Sequence, residues 1–237
     1  MRAAAIVPAA GLSTRMGSTT SGAARKQLLQ LQGAPVFIHA LRRLDACPEL
    51  SGGIYLPVRP EDRQQVEQRL HEQTWRGSIT VLEGGETRQD SVWRAFEQIP
   101  PDIGLIAVHD AVRPFLETEL VTRVLQAAER WGAAIAAIPA MDTIKQVERA
   151  SNDATRITAT LPRERIVLAQ TPQAFHYELL RRAFVKARAE GFYGTDESAL
   201  IEHLGEPVYV VAGSPRNLKI TTPADLELAE MLSASAG

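Results

Sequence analysis

The sequence predicts an α/β protein whose mostly parallel sheet is covered by helices on both faces. Apolar strand-like runs alternate with amphipathic helical patterns along most of the 237 residues. These runs are almost continuously apolar, as in Leu105-Ile106-Ala107-Val108, which is the composition that a sheet buried on both faces requires. The predicted strands are residues 3–7, 53–58, 78–82, 103–109, 133–138 and 208–211.

Helical patterns fill most of the intervals between these strands. One helix begins near Pro35 and another follows Pro60, since proline suits the first turn of a helix. In a parallel sheet, ligands bind beyond the carboxyl ends of the strands. We therefore expect the functional residues in the loops that follow the strands.

Residues 139–163 depart from this alternation. Residues 143–147 and 156–160 alternate at period two on either side of Ser151-Asn152-Asp153, which is typical of a β-hairpin. A two-stranded hairpin is barely stable alone, so this arm packs either on a second copy of the chain or back on its own domain. We interpret residues 1–237 as a single domain that carries the hairpin as an arm.

The composition excludes several classes of partner. The formal net charge of -2 leaves no excess of positive charge to neutralise a nucleic acid backbone. The single cysteine, Cys47, excludes an internal disulfide and favours a reducing compartment. The apolar runs are too short to span a membrane. We expect a cytoplasmic protein that binds neither nucleic acid nor membrane.

The first strand leads into a loop of small residues, Pro8-Ala9-Ala10-Gly11, which allow backbone N–H groups to approach a phosphate. Arg15 and Lys26 bracket the rest of the loop and can converge on the same phosphates. The loop matches neither G-x-G-x-x-G nor the Walker A pattern, which argues against a nicotinamide-dependent dehydrogenase. We interpret it as a nucleoside triphosphate site; a turn that needs small residues only for packing is the alternative.

A glycine pair, Gly84-Gly85, follows the third predicted strand where a helix begins. Glycines there let main-chain groups lie against a flat base, and Ser91 adds a hydroxyl one turn into the helix. We assign base recognition to this segment. A tight strand-to-helix turn fits the local sequence equally well.

Asp110 ends the most apolar strand and is followed by Arg113. A carboxylate at that position suits Mg²⁺ held against a polyphosphate, although an ion pair between Asp110 and Arg113 is the alternative. His109 is expected to be a hydrogen-bonded core histidine. Lys219 lies between Leu218 and Ile220, so it is expected to point toward a site or a buried anion. Thr222, Pro223 and Asp225 predict a capped helix start.

Together these segments resemble the bacterial cytidylyltransferases that act on 2-C-methyl-D-erythritol 4-phosphate in isoprenoid precursor synthesis. The resemblance covers nearly the whole chain in order. The segments that carry it are Pro8-Ala9-Ala10-Gly11…Arg15-Met16, Lys26-Gln27, Gly84-Gly85…Arg88…Ser91-Val92, His109-Asp110-Ala111…Arg113-Pro114, Thr171-Pro172-Gln173…Phe175 and Asn217…Lys219…Thr221…Pro223…Asp225-Leu226.

The resemblance implies a Rossmann-like nucleotidyltransferase fold, a homodimer formed through the arm, and Mg²⁺-dependent transfer of a cytidylyl group from CTP to methylerythritol phosphate. It also implies roles by position. Arg15 and Lys26 match the pair that stabilises the transition state, Asp110 matches the metal ligand, and Gly84, Gly85, Arg88 and Ser91 match the cytosine segment. The positions that match the acceptor pocket are Arg113, Thr143, Arg163, Thr171, Thr195 and Lys219.

Two questions stay open at this stage. The first is whether Arg163 or Arg165 contacts the acceptor phosphate; the spacing to Thr171 favours Arg163. The alternative functions are a cytidylyltransferase for another polyol phosphate, such as ribitol 5-phosphate, and a nucleotide-binding module without catalysis.

Overall fold

The computed structural model describes residues 1–11, 26–149 and 154–234. Its strands are β1 (Ala3–Ile6), β2 (Gln30–Leu31), β3 (Ala34–Pro35), β4 (Ile54–Val58), β5 (Ile79–Glu83), β6 (Leu105–Val108), β7 (Ala133–Pro139), β8 (Ile144–Arg149), β9 (Thr155–Leu161), β10 (Val167–His176) and β11 (Tyr209–Ala212). Its α-helices are α1 (Val36–Asp45), α2 (Arg63–His71), α3 (Arg88–Phe96), α4 (Thr118–Trp131), α5 (Tyr177–Glu190), α6 (Glu197–Leu204) and α7 (Pro223–Ala234). Short 3-10 helices span Lys26–Leu28, Pro60–Asp62 and Arg163–Arg165.

A seven-stranded sheet runs in the order β11-β7-β10-β6-β1-β4-β5. Neighbouring strands are parallel except at β10, which is antiparallel to both β6 and β7. Each of the six predicted runs overlaps a strand of this sheet, so the prediction of a mostly parallel sheet is confirmed.

Alternate residues of the first strand face opposite cores, because successive side chains in a strand point to opposite faces. Ala3, Ala5 and Val7 lie in the core formed with α1, α2 and α4. Ala4 and Ile6 lie in the core formed with α3, α5 and α6. The helices therefore cover both faces of the sheet, which explains why its strands are apolar throughout.

Strand β10, a ten-residue strand in the middle of the sheet, is absent from the predicted strands. Its segment Gln170-Thr171-Pro172-Gln173 contains polar residues and a proline, which are unusual in a central strand. The pairing register with β7 shifts between Ala169 and Gln173. This irregular stretch lies beside the end of β6, so its polar side chains line a cleft instead of interrupting the core.

The predicted hairpin is confirmed. β8 and β9 form an antiparallel pair with Val147 opposite Ile157, and neither strand joins the seven-stranded sheet. The predicted turn Ser151-Asn152-Asp153 lies outside the described residues. Both Val147 and Ile157 are more than half exposed.

The predicted start of the last helix is also confirmed. The Thr222 hydroxyl accepts a hydrogen bond from the Asp225 N–H at 3.2 Å, and the Asp225 carboxylate accepts one from the Thr222 N–H at 2.7 Å. This reciprocal capping box fixes the entry into α7. Helix α7 packs through Leu226 and Ala229 on Leu31 and Val36, beside the segment that carries Lys219.

Within the described ranges, we find no helix with the length and apolarity needed to cross a bilayer.

Candidate functional site

The first loop and the glycine turn, two segments predicted to bind nucleotide, lie in contact. A Cβ atom on Gly84 would come within 2.4 Å of the Ala10 Cβ, so only glycine allows the two segments to approach this closely. The Gln27 amide donates a hydrogen bond to the Ala9 carbonyl at 2.8 Å and so holds the first loop. Small residues at Ala9, Ala10 and Gly84 therefore serve the close packing of two loops at the same edge of the sheet.

The glycine turn forms the capped start of α3. Thr87 and Asp90 form a capping box, and the Ser91 hydroxyl accepts from the Gly85 N–H at 3.0 Å and donates to the Thr87 carbonyl at 2.9 Å. Ser91 is buried, and a Cβ on Gly85 would collide with Asp90. The tight-turn interpretation is thus realised, and the Ser91 hydroxyl is engaged in shaping the turn.

Asp110 lies just beyond β6 and is surrounded by three cationic side chains. Its carboxylate is 2.7 Å from the Lys219 ammonium, 3.4 Å from the Arg88 guanidinium and 3.7 Å from the Arg113 guanidinium. The predicted anionic partner of Lys219 is therefore Asp110. The predicted alternative, a pairing of Asp110 with Arg113, is present as well, as one of three such contacts.

A second carboxylate, Glu197, completes this cluster. Both Glu197 oxygens accept from Arg88, at 2.7 and 3.0 Å, in the two-point geometry that suits a guanidinium. Glu197 is 1% exposed and lies in the first turn of α6, far from Arg88 in sequence. The cluster thus holds three cationic and two anionic side chains, and the Asp196 carboxylate, which also lines the cleft, balances the remaining positive charge.

The burial of these groups shifts their protonation. Burial alone would raise the pKa of Asp110, but Arg88, Lys219 and Arg113 outweigh it and hold that pKa well below its usual range. Asp110 therefore remains ionised at neutral pH. Burial raises the pKa of Glu197, and Arg88 only partly opposes this effect.

His109 is a hydrogen-bonded core histidine, as predicted. Its Nε2 is 3.1 Å from the Arg113 carbonyl and its Nδ1 is 3.0 Å from the Thr171 hydroxyl. Since a carbonyl can only accept, Nε2 carries the proton and Nδ1 accepts from Thr171. Burial lowers the pKa of His109 to about 4, so the ring is neutral at neutral pH.

Thr171 and Asn217 tie three segments together behind the charged cluster. The Thr171 hydroxyl accepts from the Asp110 N–H at 3.0 Å, and the Asn217 amide donates to the Thr171 carbonyl at 2.7 Å. The Asn217 carbonyl accepts from Arg113 at 2.7 Å. The Nε of Arg113 is buried and makes no hydrogen bond, but it lies 3.7 Å from the Asp110 carboxylate, so its charge is paired with Asp110.

These residues line an open cleft at the carboxyl end of β6. Six of the residues predicted to bind nucleotide, metal or acceptor take part in its lining: Arg88, Asp110, Arg113, Thr171, Thr195 and Lys219. Of the candidates for the acceptor pocket, Thr143 and Arg163 lie outside that lining, at the base of the arm. Arg163 is exposed and donates to the Met141 carbonyl at 2.8 Å, and Arg165 is also exposed.

The predicted catalytic pair falls at the edge of what the structure describes. Arg15 lies outside the described residues. Lys26 begins the 3-10 helix Lys26–Leu28, and for it only the backbone is described. The other candidates of the first loop, Pro8 and Gly11, flank the Ala9-Ala10 segment that contacts Gly84.

Asp110 fits a divalent cation as a single protein ligand. In the described ranges, His, Cys, Asp and Glu side chains form no group of three or more that could hold a metal ion. Mg²⁺ is commonly held by one or two carboxylates together with substrate phosphate oxygens. The Lys219 side chain is 43% exposed, so it can leave the Asp110 oxygen that a cation would take.

Four further residues shape the cleft for which no role was predicted: Glu197 and Gln89, and also Gln173 and Asn217, which were named only as members of the resembling segments. Glu197 follows Asp196 in the first turn of a helix, where acidic residues are usually explained by capping and the helix dipole. Asp196 does cap α6, and its carboxylate accepts from the Ala199 N–H at 3.0 Å. The only available signal for Glu197 was a second acidic residue beside a cap.

The chain is similar to known proteins over almost its full length. The model of the family described as 2-C-methyl-D-erythritol 4-phosphate cytidylyltransferase matches residues 3–234. A protein of that name from Acidobacterium capsulatum is 51% identical over 232 residues, which are 97% of this chain and 96% of the relative. Another from Solibacter usitatus is 47% identical over 234 residues, covering 98% and 95% of the two chains.

Solved structures agree with this similarity. The 4-diphosphocytidyl-2C-methyl-D-erythritol synthase of Anaerococcus prevotii has a TM-score of 0.84 at 29% identity, covering 98% of this chain and 96% of its own. The 2-C-methyl-D-erythritol 4-phosphate cytidylyltransferase of Thermus thermophilus has a TM-score of 0.77 at 34% identity, covering 99% and 100%. The expected Rossmann-like nucleotidyltransferase fold is confirmed. The chain therefore belongs to the 2-C-methyl-D-erythritol 4-phosphate cytidylyltransferase family.

Proposed function

We propose that this chain transfers the cytidylyl group of CTP to 2-C-methyl-D-erythritol 4-phosphate. The observation that carries the proposal is the cationic cluster around Asp110, which lies in a cleft at the edge of the sheet where Ala10 and Gly84 meet. Three cationic side chains at one cleft suit a phosphate acceptor, and a glycine turn beside a loop of small residues suits a nucleotide. Family membership supports the same activity.

In the proposed reaction, an oxygen of the acceptor phosphate attacks the α-phosphorus of CTP. The new P–O bond forms as the bond to the β-phosphate oxygen breaks, so pyrophosphate leaves and 4-diphosphocytidyl-2-C-methyl-D-erythritol is formed. Reactions of this class need positioning and charge stabilisation more than covalent help. Arg113 and Lys219, which both contact Asp110, are the proposed ligands of the acceptor phosphate.

Asp110 is the proposed ligand of Mg²⁺, because it is ionised and lies beside the phosphate-binding cations. When bound, Mg²⁺ would neutralise charge on the phosphate oxygens of the nucleotide. Arg88 is held by Glu197 and contacts Asp110, so it orients that carboxylate while its neighbours in the glycine turn contact the base.

Arg15 and Lys26 are the proposed stabilisers of charge on the reacting phosphates. If Lys26 acts in the transition state, Lys26→Ala should lower kcat by about a hundredfold or more. A change confined to the Michaelis constants would contradict that role. The charge-neutral change Gln64→Ala, on the exposed side of α2, controls for handling of the variant.

The arm is the proposed dimer contact. Val147 and Ile157 are 53% and 59% exposed on a hairpin whose strands pair with no other strand in the described part of the chain, and apolar exposure of this kind favours a protein partner. Thr143 and Arg163 lie at the base of the arm and would reach the acceptor pocket of the other subunit. Sedimentation of the wild-type protein should show a dimer; a monomer at assay concentration would contradict the proposal.

We also infer that the protein acts in the cytoplasm. Its one cysteine, Cys47, is buried and free, as expected in a reducing compartment.

A matrix of nucleotides and acceptors tests the function. The purified protein is incubated with Mg²⁺, each of CTP, UTP and ATP, and either methylerythritol phosphate or ribitol 5-phosphate, and pyrophosphate release is measured. We expect the highest kcat/KM for CTP with methylerythritol phosphate. A preference for ribitol 5-phosphate would support the alternative acceptor, and CTP binding without turnover on either acceptor would support a non-catalytic module.

A further inference from the structure

Residues 192–196 form an irregular loop between α5 and α6 that carries Thr195 into the cleft. The Phe192 N–H donates to the Ala187 carbonyl of α5 at 2.8 Å, and the geometry of the rest of the loop depends on side chains that bind its backbone. Two buried glutamines bind this loop from opposite sides. Thr195 lies between their attachment points and is itself exposed to the cleft.

Gln89, the second residue of α3, binds the first half of the loop. Its amide nitrogen donates to the Phe192 carbonyl at 3.1 Å, and its amide oxygen accepts from the Gly194 N–H at 2.9 Å. The side chain is 8% exposed. Gly194 is packed so tightly that a Cβ there would come within 2.9 Å of the Asp196 carbonyl oxygen. Gly194, directly before Thr195, is therefore held both by a hydrogen bond and by close packing.

Gln173, on the irregular stretch of β10, binds the second half. Its amide nitrogen donates to the Asp196 carboxylate at 2.8 Å, and its oxygen accepts from the Ser198 N–H at 3.2 Å. The side chain is 1% exposed. The other Asp196 oxygen caps α6, so Gln173 connects the loop to both the sheet and the helix.

We propose that Gln89 and Gln173 are positioning residues that hold Thr195 in place for the acceptor of the proposed reaction. Each amide has an NH2 group that donates and an oxygen that accepts, so each binds a C=O or carboxylate and an N–H at the same time. Because the amides are neutral, they fix the loop without altering the charge balance around Asp110. The proposal rests on the proposed function, since it assigns Thr195 to acceptor binding.

Loss of the hydrogen bonds made by either Gln89 or Gln173 lowers the fraction of molecules in which Thr195 is placed for binding. Apparent affinity falls in proportion to that fraction, whereas saturating acceptor restores the bound loop. The expected signature is therefore a raised KM for methylerythritol phosphate with kcat and the KM for CTP almost unchanged. A role limited to global stability would instead lower the active fraction, and with it kcat.

The test uses Gln89→Met and Gln173→Met, which keep the length of the side chain but remove both hydrogen bonds. We expect the acceptor KM to rise about tenfold in each, which corresponds to a tenfold fall in the competent fraction. Hydrogen exchange of the 192–196 backbone amides in the free protein should become at least about tenfold faster, because a loop that is closed in most wild-type molecules would be open in most variant molecules. Should Gln89→Met fail to fold, Gln89→Glu still removes the donor to Phe192 and should raise the acceptor KM.

Gln170→Met is the matched control. Gln170 is another buried amide that binds backbone on both sides, donating to the Ser214 carbonyl at 2.9 Å and accepting from the Ser214 N–H at 3.2 Å. The Gln170→Met variant should leave hydrogen exchange of residues 192–196 unchanged. Unchanged exchange in the Gln89 and Gln173 variants, or a lower kcat at constant acceptor KM, would overturn the inference. Absence of turnover by the wild-type protein would contradict the proposed function instead. Hydrogen exchange would still decide whether Gln89 and Gln173 hold the loop.

Discussion

The cleft at the end of β6 buries charged side chains, whereas the arm formed by β8 and β9 exposes apolar ones. In the cleft, Glu197 is bound through both oxygens to Arg88, and Asp110 has three cationic neighbours. In the arm, Val147 and Ile157 face each other on an exposed pair of strands outside the main sheet. The charged side chains of the cleft find their ion-pair partners within the same chain. The arm needs a second surface to bury its apolar residues.

The largest expected effect on stability lies in the buried ion pair of the cleft. Glu197→Ala should lower the free energy of unfolding by about 3 to 5 kcal/mol, because it removes a buried carboxylate and leaves the partly buried Arg88 without its two-point partner. Urea denaturation at neutral pH measures the change.

The exposed ion pair of the arm provides the matched control. Glu148 bonds to Arg156 across the hairpin, and both side chains are more than half exposed. Glu148→Ala should change the free energy of unfolding by less than about 1 kcal/mol. Equal losses of unfolding free energy in the Glu148 and Glu197 variants would contradict the proposed difference between cleft and arm.

The second effect is a dependence of stability on pH that originates at His109. Its pKa is about 4 in the folded protein against an ordinary value of 6.5 for an exposed histidine, so between these values the unfolded chain binds more protons. The free energy of unfolding should therefore fall as the pH drops from 6.5 to 4, by about 3 kcal/mol from this group.

Urea denaturation across this pH range, compared with His109→Gln, isolates the contribution. The variant should lose less stability on acidification, whereas His71→Gln, on an exposed residue of α2, should follow the wild type. Identical pH profiles for His109→Gln and wild type would show that the buried ring does not cause the loss of stability at acid pH.

The third effect concerns the chemistry of the cleft. Asp110→Asn keeps the shape of the side chain but removes the charge that binds Lys219 and, in the proposed reaction, Mg²⁺. We expect kcat/KM to fall about a hundredfold, equal to about 2.7 kcal/mol of transition-state stabilisation. Asp102→Asn, an exposed change that precedes β6, should retain activity; a similar loss in both variants would argue against a special role for Asp110.

The smallest effect on the stability of one chain is expected in the arm. Val147→Ser combined with Ile157→Ser should change the free energy of unfolding of the monomer by less than about 1 kcal/mol, because both positions are exposed. The same double variant should sediment as a monomer where the wild type is a dimer. Retention of the dimer would place the subunit contact elsewhere.

Much of the cleft was predictable because its residues follow recognisable strands. Asp110 ends an apolar strand, and Lys219 is a charged residue between two apolar ones, so both could be assigned from local pattern. Gln89 and Gln173 could not, since an isolated glutamine carries no local signal. Their importance arises from the backbone of residues 192–198, to which they bind.

The position of β10 shows the same limit within the fold. Its segment around Thr171 and Gln173 is too polar to be recognised as a central strand, yet it pairs with both β6 and β7. Those polar groups are accommodated because they face the cleft and bind His109, Asp110 and Asp196.

The sequence by itself determined the alternation of strands and helices, the hairpin, and the capped start of α7. These features depend on side chains only a few residues apart, whose periodicity and hydrogen bonding act locally. Only the tertiary structure decided that Arg88 and Glu197, 109 residues apart, form a buried pair beside Asp110. The cost of burying a charge is offset only when packing brings its partner close, and no local pattern contains that information.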